Sequence, residues 1–119
     1  MSHYSGFLMA VPTANKQTYL DHVREAWPVL SRHGALRLIE TWGVSIPDGE
    51  LTDMKRAVQA QDEEAVVFAW IEWPDRATAD AAWANMENDP DMKTMSMPCD
   101  CRRMIFGLFE TLFDSAQEG

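Results

Sequence analysis

AVVFAWIEW, residues 65–73, decides the fold. It is apolar at every position except Glu72, and rich in β-branched and aromatic residues. Half-buried strands alternate apolar with polar side chains, whereas a strand covered on both faces reads as a nearly continuous apolar run. Residues 65–73 are therefore a central strand. Pro74 ends it, since proline brings no N–H to a ladder.

On the C-terminal side, Asp75 is placed to cap a helix over DRATADAAWANMEN, where Ala79, Ala82, Trp83 and Met86 make an apolar stripe. Asp89-Pro90 breaks it, and RRMIFGLFETLF, residues 102–113, reads as the last strand. On the N-terminal side, YSGFLMAV, residues 4–11, is a strand stopped by Pro12. NKQTYLDHVREAWPVLSRHG follows as a helix whose stripe is Tyr19, Leu20, Val23, Trp27 and Leu30. Thr13 or Asn15 can cap its start, Arg32 and His33 suit its negative end, and Gly34 terminates it. Pro28 should kink or break it, because its ring removes one backbone bond. ALRLIETWGV, residues 35–44, alternates as a strand. The stretch from 45 to 64 has a turn at Pro47-Asp48-Gly49 and is long enough to serve as a lid over a cavity.

The order strand, helix, strand, strand, helix, strand is the ferredoxin-like βαββαβ pattern of an α+β fold. No repeat or linker divides residues 1–119, so one domain is expected. Helices cover one sheet face. The other needs a cover too, and a second copy of the same sheet supplies it most simply, which makes a homodimer the expected assembly.

Several blocks carry a resemblance: YSGFLMAVP, GALRLIETW, PDGELTDMKRAVQA, EEAVVFAWIEWP and MPCDCRRMIFGLFE, running from Tyr4 to Glu110. Together they resemble the DUF1428 family. The resemblance implies a dimeric α+β barrel built from ferredoxin-like subunits, with no established biochemical activity. Where members typically read MPFDGKRMIYGGFE, this chain has Cys99 and Cys101 in place of an apolar residue and a glycine.

Ten basic residues against nineteen acidic ones leave a net charge of -9. That charge removes the electrostatic term that supplies most nucleic-acid affinity and opposes binding to anionic membranes. No apolar run is long enough to span a bilayer, and the start lacks a secretory leader. A cytoplasmic protein with reduced thiols is expected.

Strand alternation nominates a site. Leu36, Leu38, Glu40 and Trp42 share one face of their strand, as do Val66, Phe68, Trp70 and Glu72 of theirs. If the register of the two neighbours matches, Glu40 and Glu72 flank one aromatic cavity with Trp42 and Trp70. A carboxylate there resists ionisation and gains value as a general base. The alternative is structural: each glutamate pairs with Arg37, Arg102 or Arg103, or ends a strand in water. Asp53, on the long connection, and Arg103 are further ligand-binding candidates.

The readings that follow are a small-molecule-binding protein or cofactor-independent enzyme, a non-catalytic homodimer, and thiol or metal chemistry at Cys99 and Cys101. No GxGxxG, P-loop, GxSxG or HExxH pattern occurs, so no cofactor is expected. No metal is expected either: two thiols without a histidine pair fall short of a zinc set. In an extended chain the two cysteines would sit ~6–7 Å apart at Cα, at the far edge of disulfide reach.

Overall fold

The computed structural model describes residues 1–118. Four strands form one antiparallel sheet in the order β2-β3-β1-β4, with β1 His3–Pro12, β2 Arg37–Glu40, β3 Glu64–Trp73 and β4 Ile105–Glu110. Helices α1 (Lys16–Arg32) and α3 (Arg76–Met86) are the two long ones; α2 (Met54–Ala57), α4 (Pro90–Lys93) and α5 (Ser115–Glu118) are single turns. This is the expected α+β, ferredoxin-like arrangement, with β3 inside the sheet between β2 and β1.

Pairing fixes which side chains share a face. Leu8 stands opposite Phe68, Met9 opposite Val67, and Leu38 opposite Ile71. Odd-numbered residues of β1 and β3 turn toward the helices. Met9, Val11, Tyr19 and Val67 form one buried cluster there; Leu30, Ile71, Trp73, Ala79, Ala82 and Met86 belong to another. The alanines let α3 approach the sheet closely. Burying the Trp73 indole, 2 % exposed, contributes about 5 kcal/mol at ~25 cal/mol per Å². Its Nε1–H donates to Ser5 Oγ at 2.9 Å, so no buried donor is stranded.

Local signals act largely as the sequence suggests. Asp75 caps α3 by accepting from the Thr78 N–H at 2.7 Å. Gly34, with φ of 103°, closes α1 in a conformation that L side chains rarely adopt. His33 Nε2 and Arg32 both meet Asp89 Oδ2, at 2.9 and 3.0 Å, and tie the end of α1 to the turn before α4.

Several expectations need correction. The second and last strands are shorter than 35–44 and 102–113, and Cys101–Arg103 form a 3-10 turn before β4. A 3-10 turn, Thr13–Asn15, precedes α1, and neither Thr13 nor Asn15 caps the helix; the Thr13 hydroxyl instead donates to the Glu63 carbonyl oxygen. Pro28 does not break helix α1, which continues to Arg32. Its buried side holds Tyr19, Ala26, Val29 and Leu30, while Leu20 is exposed. Trp83 sits at the margin of α3, half exposed, with its ring 5.3 Å from Phe106 of β4.

The even-numbered face has only a partial cover. Val58 and Ile46 of the long connection pack on Ala10 and Val66 at one end of it. The rest presents Phe68, Ile105 and Phe109, which are 44 %, 47 % and 59 % exposed.

Candidate functional site

Glu40 and Glu72 lie on opposite faces of the sheet. Glu40 stands opposite Ala69, and Arg37 opposite Glu72. The parity of that register puts Glu40 on the helix side with Leu38, Ala69 and Ile71. Glu72 joins Trp70 and Phe68 on the even-numbered side, where its carboxylate accepts from Ser2 Oγ at 2.6 Å. The tryptophans divide the same way: Trp42 lies 6.5 Å from Tyr19 of α1, and Trp70 lies 5.3 Å from Phe68. One cavity flanked by Glu40, Glu72, Trp42 and Trp70 therefore does not form. The long connection packs on the Trp70 face, so it is no lid over Glu40.

Glu40 does gain a pocket of its own. A hollow of about 320 Å³ opens between the first turns of α1 and the end of β2, lined by Lys16, Tyr19, Leu20, Val23, Glu40 and Trp42 among others. Tyr19 is 5 % exposed and donates its hydroxyl to Glu40 Oε1 at 2.7 Å. Met9 Sδ lies 3.5 Å from the same hydroxyl, but a thioether is a weak acceptor and the single hydrogen goes to the carboxylate. Among the described residues Glu40 Oε2 has no hydrogen-bond partner, and it is not sealed from solvent. At the rim, Lys16 Nζ lies 5.5 Å from the centre of the Trp42 ring, a cation–π contact.

Burial pushes the Glu40 carboxyl above its ordinary value, and the Tyr19 hydrogen bond offsets part of that rise. Tyr19 is driven up as well, first by burial and then by the neighbouring carboxylate, so it remains a donor. The pair is thus a carboxylate of raised basicity with one oxygen held and one free.

The remaining candidates are engaged within the chain. Asp53 caps α2 by accepting from the Arg56 N–H at 2.7 Å, and also accepts from Arg56 Nε and the Gly49 N–H. Those bonds, led by the one from the Arg56 backbone, pull its carboxyl down to about 2. Gly49 is required in that turn, because a Cβ would collide with the Thr52 carbonyl oxygen. Arg103 donates to both Glu64 oxygens at 2.8 Å, to the Gln59 carbonyl oxygen at 2.8 Å and to Asp100 at 3.3 Å. Its fork clamps the segment before β4 to the start of β3. Most of the hydrogen-bonding capacity of both residues is thus spent within the chain.

Sequence reading assigned Tyr19 only to an apolar stripe. The usable signal was chemical: a phenol in a buried stripe needs an acceptor for its hydroxyl. A second hollow, about 300 Å³ between α3 and β4, is lined by Phe7, Trp83, Phe106 and Leu108 with only Asp80 as a titratable group. The Glu40 pocket differs in holding Lys16, Tyr19 and Glu40, polar groups able to fix a ligand's orientation. Among the described residues no helix is long and apolar enough to cross a membrane, and no three His, Cys, Asp or Glu side chains are grouped to hold a metal ion.

Residues 2–101 match the model of a family described as "Protein of unknown function (DUF1428)". Proteins named "Uncharacterized protein YbaA" from Escherichia coli (strain K12), Escherichia coli O157:H7 and Shigella flexneri are each 44% identical over 116 residues, covering 96% of this chain and 99% of theirs.

Proposed function

The chain belongs to the DUF1428 family, whose members are described only as proteins of unknown function, and from that premise we propose that it binds a small, partly apolar molecule in the Tyr19–Glu40–Trp42 pocket, with Glu40 as the proton acceptor. The observation that carries this reading is the 2.7 Å bond from Tyr19 to Glu40 on the pocket wall, with the second carboxylate oxygen unpartnered. A ligand with a flat apolar body can lie against Trp42 and present a hydroxyl, N–H or acidic C–H to that oxygen. Where the proton leaves a carbon or a phenol, Glu40 acts as a general base, and its raised basicity suits the role. The hydroxyl of Tyr19 holds the carboxylate in one orientation.

The test is a thermal-shift screen of small phenols, 4-nitrophenol among them, on wild type and Trp42→Ala. The reading predicts stabilisation of the wild type that rises with phenol concentration and is lost in the variant. Equal shifts in both proteins would overturn it.

A second reading, a homodimer, is favoured by the exposed Phe68, Ile105 and Phe109. Strands of 10, 4, 10 and 6 residues, about 4.8 Å apart and rising ~3.3 Å per residue, present roughly 480 Å² of projected face, one end of it under Val58 and Ile46. Projecting side chains enlarge that area toward the ~800 Å² that each partner contributes to a stable interface. A second copy of the same face is the occupant that needs no other component. The two readings are compatible, since the Glu40 pocket opens on the helix side.

A further inference from the structure

The cysteines lie outside the Glu40 pocket, and their arrangement differs from that of an extended strand. The chain bends before Cys99, and Cys101–Arg103 forms a 3-10 turn capped by Asp100, whose side chain accepts from the Arg102 N–H at 3.1 Å. The turn brings Cys99 Sγ and Cys101 Sγ to 3.6 Å from each other. We propose that Cys99 and Cys101 form a two-point thiolate site for a soft, thiophilic metal or metalloid centre that brings its remaining ligands with it, an organoarsenic(III) group being the simplest example.

Distance favours chelation over a disulfide. At metal–sulfur bonds of ~2.3 Å, sulfurs 3.6 Å apart subtend about 100° at the bound centre, close to tetrahedral or pyramidal geometry. A disulfide would need them drawn in by about 1.6 Å, to ~2.0 Å, inside a very small ring. Chelation therefore asks for little movement.

The turn is also held in place. Asp100, between the two thiols, is bonded to Arg102 and Arg103, and Arg103 is forked onto Glu64. A pair fixed before binding loses less entropy when bound. Cys101 is exposed and Cys99 is half-buried against the cluster that holds Met9 and Tyr19, so an incoming centre meets Cys101 first and Cys99 closes the chelate. Burial and the neighbouring sulfur push the Cys99 thiol up to about 12, which protects it from reagents that attack single thiolates. Among the described residues no third His, Cys, Asp or Glu completes a metal set, which is why the centre must carry other ligands. For an organoarsenic(III) dihydroxide, two As–O bonds break and two As–S bonds form. The two thiol protons leave in two waters, and no electrons are transferred.

The probe is phenylarsine oxide, added to the reduced full-length chain in the presence of excess 2-mercaptoethanol and followed by intact mass. Wild type should carry one phenylarsenic group per chain and hold it about a hundredfold more tightly against the monothiol than Cys99→Ser or Cys101→Ser, because its second bond is intramolecular. Equal retention in all three proteins would overturn the proposal. The wild type gives an answer independent of how the variants fold: when N-ethylmaleimide is added in urea, so that both thiols are accessible, untreated chain should take up two and probe-treated chain none, and a labelled Cys99 after treatment would overturn the proposal equally.

Discussion

The hydroxyl of Tyr19 donates to Glu40 Oε1 at 2.7 Å and joins the first turns of α1 to the end of β2. Tyr19→Phe leaves the carboxylate in a largely apolar setting without its donor. Stability at neutral pH should fall by about 1–3 kcal/mol, the usual cost of losing a hydrogen bond to a charged, part-buried group. The deficit should shrink at a pH low enough to protonate Glu40. Urea denaturation at the two pH values measures both.

Glu40 and Asp53 make opposite contributions to pH dependence. The folded-state value of Glu40 lies above its ordinary 4.5, so the folded chain binds the proton more tightly than the unfolded chain. Its stabilising contribution is complete below 4.5 and is lost as pH rises through the raised value. Asp53 sits at about 2 against an ordinary 3.8, so its contribution is present above 3.8 and is lost as pH falls toward 2. Glu40→Gln should flatten the mildly acidic part of the stability profile, and Asp53→Asn the strongly acidic part. Denaturation midpoints of both variants across that range check the two signs.

Ser5→Ala strands the Trp73 indole N–H in the core. A loss of about 1–3 kcal/mol is predicted, the desolvation cost of an unpaired buried donor. Thermal denaturation reads it directly, and a change near zero would mean that the indole finds another acceptor.

Phe68→Lys places a charge in the middle of the exposed sheet face. If a second copy covers that face, wild type should sediment as a dimer at micromolar concentration and the variant as a monomer, with its circular dichroism unchanged. A wild-type monomer would remove the dimer reading.

Strand β3 was legible because AVVFAWIEW is short, rich in β-branched and aromatic residues and stopped by Pro74. Asp75 and Gly34 carried readable signals because each acts within its own few residues. The site was less legible because it depends on register. Glu40 stands opposite Ala69 instead of Phe68 or Trp70, and that one-residue difference in parity sends it to the other face from Glu72. Leu38, Glu40 and Trp42 do share one face as the alternation says, and backbone bonds from Thr41 to Phe68 and from Gly43 to Val66 carry the pairing past the end of β2. The Tyr19–Glu40 bond links residues 21 apart, and no local pattern announces such a contact. Arg103 drew attention as a charge, yet Glu64 and Gln59, which only the folded chain brings near, engage it; Asp53 is engaged locally, as the cap of α2. The thiol spacing depended on a turn that Asp100 caps, where the sequence suggested an extended run into β4.

The central claim is that Glu40 is a proton acceptor of raised basicity with one oxygen available to a ligand. The most direct measurement is the ¹³C NMR titration of its side-chain carboxyl, in the free protein and with saturating 4-nitrophenol. The account predicts a midpoint above 4.5 in the free protein, higher still in Tyr19→Phe, and lowered when the phenol donates to the carboxylate. A free-protein midpoint at or below 4.5 that the phenol does not move would contradict it.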